Sequence, residues 1–325
     1  MGFTGRKPAT LTDVARAAGV SVASASRALS RNGVGAELQS RIEAAAERLE
    51  YRANLAARSL VSRRSGLVAV VGAVAEPLFA EAVEALERRL HAAGYAVLLA
   101  GGESSGRPSV PPAPRDAEAL VYIGTQPTSS EIERLGRDSS PWVSVSDAPT
   151  AQTFIDVGRQ RGGALAALYL LDLGHRRFGV CAAAGPETRR GVAAVLTSRE
   201  GTLIGSTESD GIENPADART AIRVLLDRDE QPTAIVCGSD LEALAAVREC
   251  ALRGIEVPGR ISVVGFGDCE FARHARPALT TIRVSGAAMG THAAEAVLAA
   301  LRGEPRPLVE VPVKLVARET TGTAR

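Results

Sequence analysis

The chain has 325 residues, of which 45% are hydrophobic, 23% charged and 3% aromatic. This composition excludes a largely disordered chain, and the length predicts more than one compact domain. The net charge is only +1, but the first 64 residues carry 11 Lys or Arg against 5 Asp or Glu, which leaves 27 basic and 32 acidic residues for the remainder. A basic N-terminal part joined to an acidic body predicts a polyanionic partner such as nucleic acid.

The first motif predicts a helix, a tight turn and a second helix. Thr12 is a candidate N-cap of the first helix, and Gly19 ends that helix. Ser21 is a candidate N-cap of the second helix, in which Ala25 and Leu29 lie on the face towards the first. A third helix over 37–49 completes a three-helix core.

The opposite face of the second helix is predicted to point outwards. Side chains on such a face are placed to enter a DNA major groove. They are Val22, Ala23, Ser24, Ser26 and Arg27.

A short segment, NLAARSLVS over 54–62, follows the three helices. Asn54 is a candidate helix cap, but nine residues are too few for a helix that is stable alone. We expect this segment to become ordered when a partner chain or DNA supports it.

From Leu67 onwards, short apolar segments alternate with longer amphipathic ones. This alternation predicts an α/β body with parallel sheets and helices on both faces. Two such series, before and after about Asp156, predict two similar lobes with a ligand cleft between their strand ends. The predicted strands are 67–73, 95–100, 118–124, 142–145, 177–183, 233–239 and 261–266.

Sites for metals, cofactors and catalysis are not predicted. The four cysteines form no Cys-x-x-Cys pair, and no two histidines are four residues apart on a helix, so we expect buried thiols and no metal site. Phosphate-binding, dinucleotide-binding and nucleophile-elbow motifs are absent, so we expect no cofactor and no enzyme activity. A signal peptide and an apolar run long enough to span a bilayer are also absent, which predicts a cytoplasmic protein without membrane contact.

These motifs resemble the lactose-repressor (LacI/GalR) family, and the match is collinear over nearly the whole chain. The segments that carry the resemblance are 11–15 (LTDVA), 18–21 (AGVS), 26–29 (SRAL) and 57–60 (ARSL) near the N-terminus, and 173–177 (LGHRR), 262–266 (SVVGF) and 277–282 (PALTTI) in the body. The resemblance implies a helix-turn-helix head over 1–52, a hinge helix and linker over 53–65, and a two-lobed body over 66–325 that resembles periplasmic binding proteins. It places lobe 1 at about 66–155 plus 285–306, and lobe 2 at about 156–284 plus 307–318.

The resemblance also implies which residues contact DNA. Val22 and Ala23 occupy the base-reading positions, where they offer only apolar contacts, so Arg27 and the serines are expected to supply polar contacts. Leu60 matches a hinge leucine that enters the minor groove and bends the duplex, although packing against a second copy of the chain is the alternative. The full predicted set is Thr12, Ser21, Val22, Ala23, Ser24, Ser26, Arg27, Asn54, Ala57, Arg58 and Leu60.

The expected effector cleft departs from the pattern of sugar-binding relatives. Gly267 stands where the family has an Asp that holds sugar hydroxyls, Ser239 where an Asn is usual, and Val157 where another Asn is usual. The effector therefore stays open between a less polar ligand, a phosphorylated ligand and none. Candidate effector-binding residues are Phe79, Arg189, Arg190, Ser239, Asp240 and Asp268, with core packing as the alternative for Phe79 and a surface role for either arginine.

The leading hypothesis is a homodimeric transcriptional regulator, most simply a repressor. Two heads would bind a pseudo-palindromic operator, and a small molecule in the cleft, a sugar or a related compound, would change the hinge. A periplasmic-type solute receptor ranks lower because the chain has a basic helix-turn-helix and lacks an export signal. An enzyme with a fused DNA-binding head, such as a sugar kinase, ranks lower because a phosphate loop and a catalytic pair are missing. A dimer is expected rather than a tetramer, because the sequence shows no added C-terminal helix of the kind that the family's tetramers use.

Overall fold

The computed structural model describes residues 9–29, 34–51, 65–72, 76–101, 117–146, 155–181, 186–207, 215–306 and 308–324. The chain divides into two compact units, residues 1–65 and 66–325, called here the head and the body. In the described residues the head is helical, whereas the body alternates strands and helices.

The described part of the head contains α1 (Leu11–Ala17), α2 (Val22–Leu29) and α3 (Ala36–Arg48). These helices pack around a small apolar cluster in which the alanines allow close approach. Its members are Val14, Ala15, Ala18, Ala25, Ala28, Ile42, Ala45 and Ala46. The predicted three-helix arrangement is therefore present, and α3 is shifted by one residue from its predicted bounds.

The N-cap of α1 is Thr10, so the prediction that Thr12 caps this helix is wrong. Thr10 Oγ1 accepts a hydrogen bond from the Asp13 backbone N–H at 3.3 Å, and the Asp13 carboxylate accepts one from the Thr10 N–H at 3.0 Å. This reciprocal pair is a capping box, which requires an acidic or amide side chain three residues after the threonine. Ala15 follows Thr12 at that spacing, and Thr12 lies exposed within α1.

Gly19 forms the turn between α1 and α2 and has a φ of +63°. Residues with a Cβ are disfavoured in this left-handed region, which explains why the helix ends where the sequence predicted.

The body contains two sheets, each with six strands in the described residues. The first sheet consists of β1 (Leu67–Gly72), β2 (Ala96–Gly101), β3 (Ala119–Ile123), β4 (Trp142–Ser146), β5 (Ile155–Asp156) and β11 (Val309–Glu310), in the order β11-β5-β4-β3-β1-β2. The second consists of β6 (Arg177–Cys181), β7 (Thr202–Thr207), β8 (Ala234–Cys237), β9 (Ser262–Gly267), β10 (Thr280–Val284) and β12 (Val313–Val316), in the order β12-β10-β9-β8-β6-β7. Neighbouring strands are parallel in both sheets, except that β12 is antiparallel to β10.

Helices connect most of these strands and cover the sheets. They are α4 (Pro77–Ala92), α5 (Ser129–Arg137), α6 (Arg159–Asp172), α7 (Glu187–Ser198), α8 (Pro215–Leu226), α9 (Asp240–Leu252), α10 (Glu270–His274) and α11 (Gly286–Leu301). Each strand predicted from the sequence matches an observed strand to within two residues. The structure adds β5, β7, β10, β11 and β12, which are either very short or interrupted by polar residues and glycine.

The chain passes between the sheets three times, after β5, after β10 and after β11. Each sheet with the helices that cover it is called a lobe, and the first lobe contains β1. Because of the second crossing, α11 packs against α4 in the first lobe. Val309–Glu310 pairs with Ile155–Asp156 in the first sheet, whereas the sequence placed all of 307–318 with the second lobe.

In each lobe, one pair of helices crosses at a glycine of one helix that lies against the backbone of the other. A Cβ at Gly290 of α11 would lie 1.9 Å from the Ala82 carbonyl oxygen of α4. A Cβ at Gly191 of α7 would lie 1.9 Å from the Gln160 carbonyl oxygen of α6. Real Cβ atoms do not approach an oxygen so closely, so each crossing requires a glycine at this point.

Candidate DNA-binding helix and interlobe cleft

The outer face of α2 is exposed while its inner face is buried. Ala25 and Ala28 are fully buried against α1 and α3, and Val22 is 45% exposed. Ala23, Ser26 and Arg27 are exposed and Ser24 is half-buried. The five side chains predicted to face outwards therefore all retain contact with solvent.

Hydrogen bonds fix both ends of α2. The Ser21 hydroxyl accepts from the Ser24 N–H at 3.1 Å, which confirms Ser21 as the predicted cap. Gln39 on α3 donates from Nε2 to the Ala28 carbonyl oxygen at 2.9 Å and was not identified from the sequence. These contacts orient α2 within the head. Asn54, Ala57, Arg58 and Leu60 lie outside the described residues.

In the body, residues that follow strands of both sheets meet at one place. Glu76 follows β1 in the first lobe, whereas Arg159 begins α6 and Gly238 follows β8 in the second. Arg159 Nη2 lies 3.4 Å from Glu76 Oε1, and its Nη1 donates to the Gly238 carbonyl oxygen at 2.6 Å. The carboxyl ends of the two sheets therefore face each other across a cleft, as the sequence predicted for a two-lobed body.

Arg159 is a buried cation at this cleft, with only 1% of its surface exposed. Its guanidinium lies over the ring of Phe266, 5.2 Å from the ring centroid, a cation–π arrangement. A Cβ at Gly162 would lie 2.7 Å from the same ring, so this glycine makes room for Phe266 against α6. Arg159 was not predicted from the sequence, where its one signal is a basic residue at the first position of a helix.

Asp240 is buried and both of its carboxylate oxygens accept hydrogen bonds from the second lobe. The Thr281 hydroxyl donates to Oδ1 at 2.5 Å, and the Cys269 N–H donates to Oδ2 at 2.8 Å. Burial raises the pKa of Asp240, and these two hydrogen bonds partly oppose that effect. Ser239 forms the N-cap of α9 in a capping box with Glu242. Both predicted effector residues thus support the local structure of the cleft.

Asp268 is also engaged within the second lobe. Its carboxylate forms ion pairs with Arg283 Nε and Arg318 Nη2, each at 2.5 Å, and its side chain is buried. Its backbone has a φ of +58°, which turns the chain between β9 and α10. Two arginines therefore hold this carboxylate in place within the second lobe.

Asp156 marks the first crossing between the lobes. Its Oδ1 accepts from the Gly158 N–H at 2.8 Å, and its Oδ2 forms an ion pair with Arg161 at 2.7 Å. Arg161 also pairs with Glu310 at 3.1 Å and donates to the Val311 carbonyl oxygen at 3.1 Å. One arginine therefore ties together the first and third crossing segments.

A cavity of about 570 Å³ lies elsewhere in the first lobe, between α5, the end of α11 and the start of β4. Leu135, Trp142 and Arg306 are among the residues that line it. It lies at the amino end of the sheet, whereas the cleft lies at the carboxyl ends, so it is separate from the predicted effector site.

Comparison with known proteins identifies the family. The family described as "Bacterial regulatory proteins, lacI family" matches residues 10–54, and "Periplasmic binding protein-like domain" matches residues 167–321. The chain is 30% identical over 342 residues to the HTH-type transcriptional regulator reg1 of Streptomyces lividans, covering 97% of each sequence. This chain belongs to the lacI family of bacterial regulatory proteins.

Other members of the lacI family agree with this assignment. The HTH-type transcriptional repressor PurR of Haemophilus influenzae (strain PittEE) is 27% identical over 303 residues, covering 89% of this chain and 90% of the relative. The structure of the lac repressor dimer bound to operator and the anti-inducer ONPF superimposes with a TM-score of 0.80 at 26% identity, covering 97% of this chain and all of the other. The chain is a DNA-binding transcriptional regulator rather than an enzyme, which confirms both predictions.

Within this lacI-family body, the remaining effector candidates lie in three different environments. Phe79 is buried in the core of the first lobe, where its ring packs against the backbone of Gly124. Arg190 is exposed and forms an ion pair with the buried Glu187 at 3.0 Å, and Arg189 is half-buried. The core alternative for Phe79 and the surface alternative for Arg190 are therefore the ones that the geometry favours.

The cysteines of this lacI-family chain are free thiols. Cys181, Cys237 and Cys250 are buried and Cys269 is half-buried. Burial, together with the carboxylates of Asp240 and Glu76, raises the pKa of the Cys269 thiol to about 12, so it stays protonated at neutral pH. Within the described ranges, no group of three metal-ligating side chains is present, and no helix has the length and apolar character needed to cross a membrane.

Proposed function

We propose that this chain is a transcriptional repressor that binds a pseudo-palindromic operator as a homodimer in the cytoplasm, and that a small molecule in the interlobe cleft controls it. The observation that carries this proposal is the exposed outer face of α2, which is held against α1 and α3 by a buried alanine core. A short helix presented in this way is the recognition element of helix-turn-helix proteins.

The chemistry of the α2 face sets the expected mode of recognition. Val22 and Ala23 offer apolar contacts, for which the thymine methyl group is the matching feature of the major groove. Arg27 is the long cationic side chain on the same face, and the serines add hydroxyl groups for phosphate or base contacts. Hinge residues between Asn54 and Leu60 would add contacts at the operator centre, with Leu60 in the minor groove.

A homodimer fits an operator with two half-sites, since two-fold symmetry in the protein matches symmetry in the DNA. The first sheet offers a surface for such pairing at its edge strand, β2. Leu98 and Leu99 on this strand are 40% and 52% exposed. Exposed apolar side chains on an edge strand are typical of a surface that another chain covers.

Selection of bound sequences from a random duplex pool, with full-length protein and a series of salt concentrations, tests the proposal. The expected result is a pseudo-palindromic sequence. The logarithm of its association constant should fall linearly with the logarithm of the salt concentration. Binding without sequence preference would exclude an operator, and no binding at low salt would exclude the DNA-binding role of α2.

Replacement of Arg27 tests the recognition helix directly. Arg27→Ala is expected to lower affinity for the selected operator about 10- to 100-fold, or about 1–3 kcal/mol, and to relax preference at one position of each half-site. Arg48→Ala, which removes an exposed arginine from α3, is the matched control and should leave the sequence preference unchanged. Equal effects of the two substitutions on preference would contradict the assignment of α2.

A further inference from the structure

We propose that the interlobe cleft binds a small oxyanion, namely the carboxylate or phosphate group of a metabolite. Arg159 anchors this group, and the group displaces the Glu76 carboxylate from its ion pair with Arg159. This inference rests on the proposed control of the protein through the cleft, and it names the chemical class of the effector.

The charge of Arg159 is opposite to that expected at its position. A helix N-terminus carries a partial positive charge and favours acidic residues. Other helices that follow strands into the cleft obey this rule: Glu76 is the N-cap of α4, Glu187 begins α7 and Asp240 begins α9. Arg159 instead begins α6 with a cation, which adds to the local positive potential and makes the site favourable for an anion.

Two contacts within the second lobe help to position the guanidinium. The Gly238 carbonyl oxygen accepts from Nη1 at 2.6 Å, and Phe266 supports the planar group from one side. Gly162 provides the space that this ring occupies. The cation is therefore positioned before a ligand arrives, which lowers the entropic cost of binding one.

Glu76 is a replaceable partner for this cation. It belongs to the opposite lobe, its Oε1 lies 3.4 Å from Nη2, and 27% of its side chain remains exposed. Its side chain forms no cap hydrogen bond with α4. Opening of the lobes withdraws this carboxylate, and an incoming oxyanion can then form the shorter paired hydrogen bonds that guanidinium groups favour.

The carboxylates that would suit a neutral sugar are already engaged. Asp240 accepts from Thr281 and Cys269, and Asp268 is paired with Arg283 and Arg318. Sugar recognition relies on acceptors that ligand hydroxyl groups can reach, and the side chains of these two acids are buried against their protein partners. The arrangement favours an anion at Arg159 over a polyol between the two acids.

Binding is measured with full-length protein by isothermal titration calorimetry and by the thermal unfolding midpoint. The probes are inorganic phosphate and acetate, with glucose as the neutral control and sodium chloride to keep ionic strength constant. We expect phosphate or acetate to raise the Tm saturably, and glucose to leave it unchanged. A response to phosphate alone, to acetate alone or to both supports the oxyanion site and indicates which group the metabolite carries.

Two variants with opposite expected effects decide whether Arg159 and Glu76 act as described. Arg159→Met should abolish the anion response, whereas Glu76→Gln removes the internal competitor and should lower the half-saturating concentration at least threefold. Arg248→Met is the matched control, because it removes an exposed arginine of α9 in the same lobe, and should leave the response unchanged. If Arg159→Met does not fold, the direction of the Glu76→Gln effect is decisive alone.

Several results would overturn the proposal. They are an anion response that survives Arg159→Met, unchanged or weaker anion binding in Glu76→Gln, equal stabilisation by glucose, and no response to either anion. Operator binding is measured separately without added anion. Loss of operator binding with an intact anion response would remove the regulatory function and leave the site in place.

Discussion

His175 links the end of the second lobe to its centre through both ring nitrogens. Its Nε2 donates to the Gly322 carbonyl oxygen at 3.0 Å, and its Nδ1 lies 3.1 Å from the Thr233 hydroxyl. A carbonyl oxygen only accepts hydrogen bonds, so the proton of the neutral ring is on Nε2 and Nδ1 is the acceptor. Burial lowers the pKa of His175, and the hydrogen bond to Gly322 partly opposes this effect.

The lowered pKa predicts a loss of stability in mild acid. As the pH falls below about 6.5, the unfolded chain binds a proton at this histidine before the folded chain does. The stability is therefore complete above that pH and decreases towards the lower pKa of the folded state. Urea unfolding between pH 7.5 and 5 is expected to show a smaller decrease for His175→Gln than for the native chain. His274→Gln, at an exposed histidine, is the control, and equal decreases in all three proteins would contradict the assignment.

Thr10 and Thr12 separate the stability of the head from its contact with DNA. Thr10→Ala removes the capping box and is expected to destabilise the head by about 1 kcal/mol, because α1 loses the side-chain acceptor at its N-terminus. Thr12→Ala leaves the cap intact and is expected to affect only operator affinity. Hydrogen exchange of the amides in residues 9–29 measures the first effect, and titration with operator DNA measures the second. Faster exchange in Thr12→Ala than in Thr10→Ala would show that the observed cap is wrong.

At the scale of single residues, the sequence indicated which functional groups a site contains better than it indicated the contacts that those groups make in the fold. Ser239, Asp240 and Asp268 are predicted to bind an effector, and the sequence did not predict the protein partners of the two acids. These partners include Thr281 and Arg318, which are distant in sequence. Arg159 was missed for the same reason, since its burial depends on contacts with Glu76, Gly238 and Phe266. Local spacing contains no information about such contacts. It did identify the outward side chains of α2, because helix periodicity alone determines them.

At the scale of elements, the two glycine crossings fix the distance between helices in each lobe. The α4–α11 pair meets where Gly290 faces the Ala82 carbonyl oxygen, and the α6–α7 pair meets where Gly191 faces that of Gln160. With no side chain between them, the backbones are in direct contact. The separation of the two helices in each pair is therefore fixed by backbone contact.

Gly290→Ala is expected to destabilise the body by about 1–3 kcal/mol or more, because its Cβ would force α11 away from α4. Gly136→Ala is the matched control. This glycine lies in α5 and a Cβ there would meet no atom within 4 Å, so the substitution should stabilise the chain by about 0.5–1 kcal/mol. Urea unfolding measures both. A neutral Gly290→Ala would show that the helices can separate without cost.

At the scale of the whole molecule, the alternation of apolar strands and amphipathic helices was sufficient to predict two parallel α/β lobes. It was not sufficient to predict β5 and β11, which are two residues long and depend on pairing with each other. Nor did it predict β12, whose antiparallel pairing with β10 is made across the last crossing. These strands depend on the return path of the chain, and strand patterns do not contain that path.

The edge strand β2 offers a test of the homodimer. Leu99→Lys places a charge on an exposed edge and is expected to weaken the dimer at least tenfold, because the lysine would lose its hydration in the interface. Leu308→Lys is the control, since Leu308 is similarly exposed but adjoins β11 at the opposite edge of the same sheet. Sedimentation equilibrium measures both. Dissociation by Leu308→Lys alone would place the interface at the other edge.

The three crossings also have a consequence for synthesis of the chain on the ribosome. The first lobe receives α11 and β11, and the second receives β12, all from residues 286–316. Neither lobe can be completed while these residues are still inside the ribosomal exit tunnel, although most of each sheet has already emerged. The face of α4 that packs against α11, which includes Ala82 and Leu86, then remains open to water. The two lobes can therefore finish folding only after residues 286–316 have emerged, and until then the nascent chain exposes apolar surface of the kind that chaperones bind.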